Sequence, residues 1–574
     1  MSIPDWIILV LTIGFILLYG IWKSRGVKNI ETFLLADRQL PWYHVGLSVM
    51  ATQASAITFI SAPGLAYSDG LRFVQFYFGL PLAVIVLCTS FIPIFRRLNV
   101  FTAYEYLEKR FDQKTRTFTA LLFLLQRGLS TGISIYLPSI ILSTILKVDS
   151  LYTTFFTGGI VIFYTVYGGA RAVSYTQLLQ MIIIFSGLFL AAWMVVHMLP
   201  ANVGFSDALH IAGKMGKMNA IDTHFDLNNK YNIWSGIIGG FFLQLSYFGT
   251  DQSQVGRYLT GRSVKESRLG LIMNGFIKIP MQFFILLIGI LVFTFYQFSP
   301  PPLFFNANEV KKIEESPYRG DWKKLESSFA AANSTKLNSV QELVTALHAG
   351  NQAGEDSARV HVEHADQASR QVRKEALALL RKNSSRSDVD DSNYVFLSFV
   401  TRHFPVGLVG LLIAIIFLAS MGSIASAMNS LASSTVIDFY RRIIRKDAGP
   451  AVYLRASRWS TVAWGVFCMI VALYAHKLGN LIEAVNQLGS IFYGTILGIF
   501  LVAFFMKKIN GTAVFCAAIV TECGVFYAVY AKLCAYLWLN VFACLAVMLI
   551  ALILQQTIRD TRHKTLAWLF CLMS

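Results

Sequence analysis

The chain has 574 residues, of which 55% are hydrophobic and 14% charged, with a formal net charge of +17 and a mean hydropathy of +0.55. No water-soluble domain of this length carries that balance without a vast exposed apolar surface, so the composition excludes a soluble globular protein and marks an integral membrane protein. Cys88, Cys468, Cys516 and Cys544 stand inside apolar runs, with no CxxC spacing and no nearby His cluster to hold a metal, and read as small core residues.

The N-terminal "MSIPDWIILVLTIGFILLYGIWKSR" has no basic stretch before its apolar run and no small-residue cleavage site after it, so it reads as a retained first helix. About thirteen runs are long enough to cross a bilayer, near 5–22, 44–66, 73–95, 117–146, 151–168, 174–199, 232–250, 269–297, 404–437, 456–476, 481–506, 510–531 and 533–556. Placing the N-terminus outside gathers Arg96, Arg97, Lys109, Arg110, Lys114 and Arg116 in one inner loop, Arg257, Arg262, Lys265 and Arg268 in another, and Arg441, Arg442, Arg445, Lys446, Arg455 and Arg458 in a third. This is the positive-inside pattern, with the C-terminus cytoplasmic, in a bacterial inner or plasma membrane.

The next feature is "HVGLSVMATQASAITFISAPGLAYSDG", residues 44–70, which carries Thr52, Gln53, Ser55 and Thr58 at its centre and Pro63-Gly64 beyond. A helix broken at mid-membrane frees backbone carbonyls, which hydrocarbon forbids unless they face a cavity, an ion or protein. The competing reading is an unbroken polar helix packed through small residues. Residues 300–395 are polar, rich in Ser, Ala, Glu and Lys, and lack a membrane run; 13 Lys/Arg face 14 Asp/Glu there, so the positive charge belongs to the membrane body and no nucleic-acid partner is expected. This insert is expected outside, as a small helical domain or partly disordered cap. Further on, "LASMGSIASAMNSLASSTVIDFYRR", residues 418–442, places Ser420, Ser423, Ser426, Ser430, Ser433 and Ser434 where lipid would favour Leu and Phe.

Four stretches, in order, resemble the sodium/solute symporter family. They are Ser48, Ala51, Ser55 and Ala56 in the first core helix, "GGARAVSYTQLLQ" at 168–180, "TDQSQVGRYLTGRS" at 250–263, and "ASMGSIASAMNSLASSTVIDFY" in the Ser-rich helix. The resemblance implies an all-α, LeuT-like fold of inverted five-helix repeats, with one extra N-terminal and two extra C-terminal helices. It divides the chain into an N-terminal helix and inner loop (1–43), a first repeat (44–199), the start of the second (200–299), the insert (300–395), the rest of the second repeat (396–506) and the C-terminal helices and tail (507–574).

The resemblance also implies a non-enzymatic, sodium-coupled symporter of a small organic solute (a sugar, sugar acid or other carboxylate) working by alternating access, with sodium as coupling ion and no cofactor. Mapped by motif, the sodium ligands are the carbonyls of Ala51, Ala54 and Ala419 and side chains at 422 and 423; position 423 is Ser423, but 422 is Gly422. Hard oxygen donors suit sodium without burying an unpaired carboxylate. Some relatives hold a second sodium with an Asp where this chain has Gln177 and a hydroxyl where it has Ala425, so at most one sodium per cycle is expected. Substrate contacts map to Ser55, Thr58, Tyr77, Arg127 and Asn486, with Phe76 as a steric gate.

Arg127 lies well inside a span, where an unpaired guanidinium is costly. Either it snorkels inward or pairs with a structural carbonyl, or its fork grips a substrate carboxylate, as the resemblance to the sialic-acid branch suggests. Lys278 is expected to snorkel or form a gating pair with an acid, and Asp251 to bind a cation or cap a helix. No Walker loop, GxSxG or HExxH supports a pump or hydrolase. The competing functions are a proton-coupled or uncoupled carrier on the same fold, and a membrane sensor with a vestigial transport core.

Overall fold

The computed structural model describes residues 1–23, 30–98, 100–383, 389–446 and 448–573, and the regular structure among them is helical apart from an isolated bridge between Leu40 and Gly261. In chain order its principal helices are α1 (Ile3–Lys23), α2 (Trp42–Gln53), α3 (Ala56–Asp69), α4 (Gln113–Leu146), α5 (Ser150–His197), α6 (Gly240–Thr250), α7 (Gln252–Tyr258) and α8 (Val264–Phe298). They continue with α9 (Arg319–His348), α10 (Gln352–Asn383), α11 (Leu408–Ser434), α12 (Pro450–Tyr474), α13 (Leu481–Phe505), α14 (Gly511–Tyr530) and α15 (Tyr536–Met573). Helix starts follow local chemistry: Asp112, Asp149, Ser263, Asn480 and Asn510 each accept a first-turn amide at the beginning of α4, α5, α8, α13 and α14.

Among the described residues, ten helical segments are long and apolar enough to span a membrane, against about thirteen runs expected. The difference has structural causes. Runs 151–168 and 174–199 join into α5 across a kink at Gly169, whose φ of 57° suits glycine and whose hypothetical Cβ would lie 2.7 Å from the Phe33 ring. Run 73–95 joins α3 in one helical stretch, Ala56–Leu98, and run 232–250 falls on a helix broken at Asp251, each half too short to count. Exposed Ile7, Phe15, Phe189, Trp193 and Phe276 present the apolar surface a bilayer would cover.

The Ser-rich α11 is the axis of the bundle. It packs against α1, α2, α4, α5, α7 and α12, and 89% of its most apolar window is buried. Its N-terminus lacks a cap of its own, and Asp5 of α1 supplies one by accepting the Gly407 amide at 2.6 Å and the Gly410 amide at 3.1 Å. α8 lies across α2 and α3, and α13 packs on α4, α6 and α15. The insert is helical: α9 and α10 form an antiparallel hairpin over one end of the bundle, with a small core of Leu303, Phe304, Ile313, Trp322, Phe329, Ala376 and Leu380.

Candidate functional site

Two broken helices border a central cavity. α2 stops at Gln53; Ala54 and Ser55 leave the helical region (ψ 82° and 174°) before α3 begins. The Ser55 amide turns to the Gln53 carbonyl at 3.1 Å and the Thr58 amide to the Ser55 carbonyl at 3.0 Å, so the carbonyls of Ala51 and Ala54 lose their usual i+4 donors. Both residues are buried, at 3% and 0% exposure. Freed carbonyls inside a bundle need another partner.

α11 faces this break. The Thr52 hydroxyl lies 2.9 Å from Ser426 Oγ and donates to the Ser48 carbonyl at 2.8 Å. Ser423 donates to the Ser420 carbonyl at 3.0 Å and Ser430 to the Ser426 carbonyl at 2.9 Å, so part of the hydroxyl surplus is returned to the helix's own backbone.

α5 closes the third side with two glutamines. Ser48 donates to Gln177 Oε1 at 2.6 Å, and Gln177 Nε2 donates to the Gly422 carbonyl at 3.0 Å and to Thr52 Oγ1 at 3.3 Å. One neutral amide thus ties α2, α5 and α11 together. Gly422 is not a gap: a Cβ there would lie 2.5 Å from Gln180 Oε1. Gln180 is 1% exposed and neither of its amide atoms has a hydrogen-bond partner. Below them, the buried Arg257 reaches Ser174 Oγ at 3.5 Å, and Ser174 lies 3.4 Å from Ser48.

The cavity itself, about 100 Å³, is lined by Ser55, Thr58, Phe76, Tyr77, Arg127, Ser423 and Asn486. Every expected substrate-contact residue and the expected gate therefore converge on one space, together with one expected sodium ligand. Phe76 and Tyr77 meet edge to face at 4.9 Å, and Tyr77 donates to Gln282 Oε1 at 3.2 Å. Among the residues that sequence reasoning did not single out as contacts, Gln53, Gln244, Tyr247 and Tyr493 also line the cavity. Gln244 is 1% exposed with both amide atoms unpartnered; its one signal is a lone amide inside "GGFFLQLSYFG".

The second break is held differently. Asp251, between α6 and α7, pairs with Arg127 of α4 and accepts from Tyr493 Oη at 2.9 Å, the Ser253 amide at 2.8 Å and the Ser253 hydroxyl at 2.6 Å. Asp251 thus caps α7 and neutralises Arg127, which does not snorkel. Lys278 does not snorkel either: it is 1% exposed, its Nζ lies 5.9 Å from the Tyr77 ring centroid, and no carboxylate pairs with it among the described residues. Asp438 pairs with the buried Arg116.

Comparison with known proteins places this architecture. The model of the sodium:solute symporter family matches residues 33–306 and 369–521. The sodium/glucose cotransporter of Vibrio parahaemolyticus is 25% identical over 522 residues, covering 88% of this chain and 82% of the relative. The sodium/sialic acid symporter of Proteus mirabilis is 23% identical, covering 93% and 91%. A solved Na+-coupled sialic acid symporter, in a substrate-bound outward-open state, shares the fold with a TM-score of 0.73 at 22% identity, over 97% of this chain and 98% of that one.

Proposed function

Since the chain belongs to the sodium:solute symporter family, we propose that it moves a small organic solute across the membrane together with sodium, by alternating access around the cavity between the two broken helices. The observation that carries this reading is the break at Ala54–Ser55, where carbonyls without intrahelical donors stand beside the hydroxyl-bearing face of α11. A sodium ion wants hard, uncharged oxygens in such a place. The ligands are the carbonyls of Ala51, Ala54 and Ala419 and the Ser423 hydroxyl, and Gln180 Oε1, which occupies the room beside Gly422, supplies the oxygen that a hydroxyl at 422 would give.

One sodium moves per cycle. Gln177 offers an amide engaged on both sides instead of a carboxylate, and the buried Arg257 adds positive charge two hydroxyls away, which repels a second cation. The solute is a sugar, sugar acid or other carboxylate. Gln53, Gln244 and Asn486 offer amides, Ser55 and Thr58 offer hydroxyls, and Arg127 keeps its Nε without a partner after pairing with Asp251. The protein sits in a bacterial plasma membrane with its N-terminus and insert outside and its C-terminus in the cytoplasm, as the Lys/Arg distribution supports.

Uptake of labelled sugars and sugar acids into proteoliposomes tests the reading. Uptake should require an inward sodium gradient, vanish when choline replaces sodium, and ignore a protonophore. Uptake that persists in choline and collapses with the protonophore would make the chain a proton-coupled carrier instead.

A further inference from the structure

A second cavity, of about 590 Å³, lies where the α9–α10 hairpin covers the ends of α3 and α13. Its floor belongs to the membrane body and includes Ser68, Asp69, Lys217 and Glu483; its roof belongs to the hairpin and includes Asn333, Lys336, Ser369 and Arg370. The family match stops at residue 306 and resumes at 369, so Asn333 and Lys336 of the roof lie outside it, whereas Ser369 and Arg370 stand where it resumes. The roof is fastened at both ends. At the hairpin turn Glu355 lies 3.0 Å from both Lys214 and His210, and at its root Arg373 pairs with Asp391.

Five basic and five acidic side chains line this space, and several neutralise one another. Asp366 takes Arg370 Nε at 2.7 Å and Lys336 at 3.6 Å, Asp391 takes Arg373, and Glu483 takes Lys230 at 2.8 Å. Lys217, 8% exposed, donates to the Ser68 carbonyl and lies 4.9 Å from the Phe293 ring centroid, with no carboxylate paired to it among the described residues. Arg370 keeps both terminal nitrogens uncommitted, since Asp366 engages its Nε. Among the described residues, Ser369 Oγ and Asn333 Oδ1, on residues 4% and 5% exposed, have no hydrogen-bond partner, and the exposed Asp69 has no ion pair. The two buried oxygens of Ser369 and Asn333 left this way cost about 1–3 kcal/mol each.

The cavity thus offers cationic donors, buried at Lys217 and exposed at Arg370, together with buried neutral acceptors at Asn333 and Ser369 and the exposed Asp69 carboxylate. An inorganic anion would answer Lys217 and Arg370 but leave the buried Asn333 Oδ1 without a donor. A carboxylate that also carries several hydroxyls answers both. We propose that the roofed cavity is a binding site for a small polyhydroxylated carboxylate, its carboxylate held by Lys217 and Arg370 and its hydroxyls by Asn333, Ser369 and Asp69. The site goes beyond the symport reading and does not depend on sodium. It stands on the path to the central pocket: Glu483 lines the roofed cavity and Asn486 the central one, a separation of about 5 Å along α13.

The test uses the full-length protein in nanodiscs of zwitterionic lipid, titrated calorimetrically with D-glucuronate in choline buffer free of sodium. Saturable binding is expected, with D-glucose and acetate each weaker, and with Lys217→Met and Arg370→Gln each weakening glucuronate about tenfold while Asn486→Ala leaves it unchanged. Arg370 is exposed, so Arg370→Gln keeps the test valid even where Lys217→Met fails to fold. No saturable glucuronate binding, or binding sensitive to Asn486→Ala and indifferent to Arg370→Gln, overturns the proposal. So does loss of glucuronate binding in nanodiscs containing phosphatidylglycerol, which would make the occupant a lipid headgroup.

Discussion

The break between α2 and α3 is built of backbone carbonyls and hydroxyls with no ion pair among the described residues, whereas the break between α6 and α7 is closed by the buried Arg127–Asp251 pair with Tyr493 and Ser253 around it. The first leaves oxygen lone pairs without donors; the second leaves Asp251 fully engaged. Both are non-helical backbone inside a membrane bundle, and each meets the need for partners in its own way. The uncharged break is free to take a mobile cation, and the charged break is already neutralised from within. On the proposed reading, ion binding belongs to α2–α3 with α11, solute binding to the cavity that Ser55, Thr58, Arg127 and Asn486 line together, and the Arg127–Asp251 pair locks α4 to α6–α7 beside it.

The harshest way to break this comparison is at the ion pair. Arg127→Ala leaves Asp251 charged and unpaired at 0% side-chain exposure, which should cost about 3–5 kcal/mol, read as a marked fall in the thermal unfolding midpoint and loss of uptake. Arg127→Met with Asp251→Leu should recover much of that stability without restoring uptake. If Arg127→Ala kept both stability and uptake, the pair would not be the lock. At the other break Ser423→Ala should leave stability nearly untouched, since the lost hydroxyl bonds its own helix. The sodium concentration for half-maximal uptake should rise about tenfold. An unchanged sodium requirement would remove Ser423 from the site.

Much of the first break was legible in sequence because its signals are local: Thr52, Gln53 and Ser55 inside an apolar run, and small residues every few positions along α11. The second break was not, because its decisive contact joins Arg127 to Asp251, 124 residues apart. Sequence offered both charges and left each with alternatives. Lys278 misled for a related reason. Its place near a loop suggested snorkelling, yet the packing of α8 across α2 and α3 buries it under Tyr77. The insert's helices were legible from composition, but not that two of them would fold back as a roof, since that depends on Lys214 and His210 of the membrane body.

The roofed cavity extends the same contrast to a place outside the bilayer core, where charge is neither absent nor fully paired. Burial pulls the Lys217 ammonium down to about 8, with Arg370 and Lys336 acting in the same direction and Asp69 and Asp366 opposing. The charged form binds a carboxylate, so affinity should fall as pH rises through that value, by about fivefold between pH 7 and 9. Lys217→Met should flatten the profile. A profile that stays steep in that variant would assign the titration to another group.

The finest discrimination lies at Gly422. If the missing hydroxyl is made good by Gln180, then Gly422→Ser puts two oxygen donors in competition for one place. The new Cβ meets only the end of the Gln180 side chain at 2.5 Å, with the next atoms at 3.5 Å and beyond, so a flexible amide can swing aside at little cost to packing. Sodium affinity should then tighten about two- to threefold, the difference between a hydroxyl on α11 itself and an amide reaching across from α5. Gln180→Ala in the native background should weaken sodium binding, and the same change in Gly422→Ser should do little, because the serine already holds the ligand position. That non-additivity is the measurement to make. Two independent effects that simply add would mean Gln180 packs beside Gly422 without touching the ion, and the uncharged break would then bind sodium with one oxygen fewer than its relatives' pattern implies.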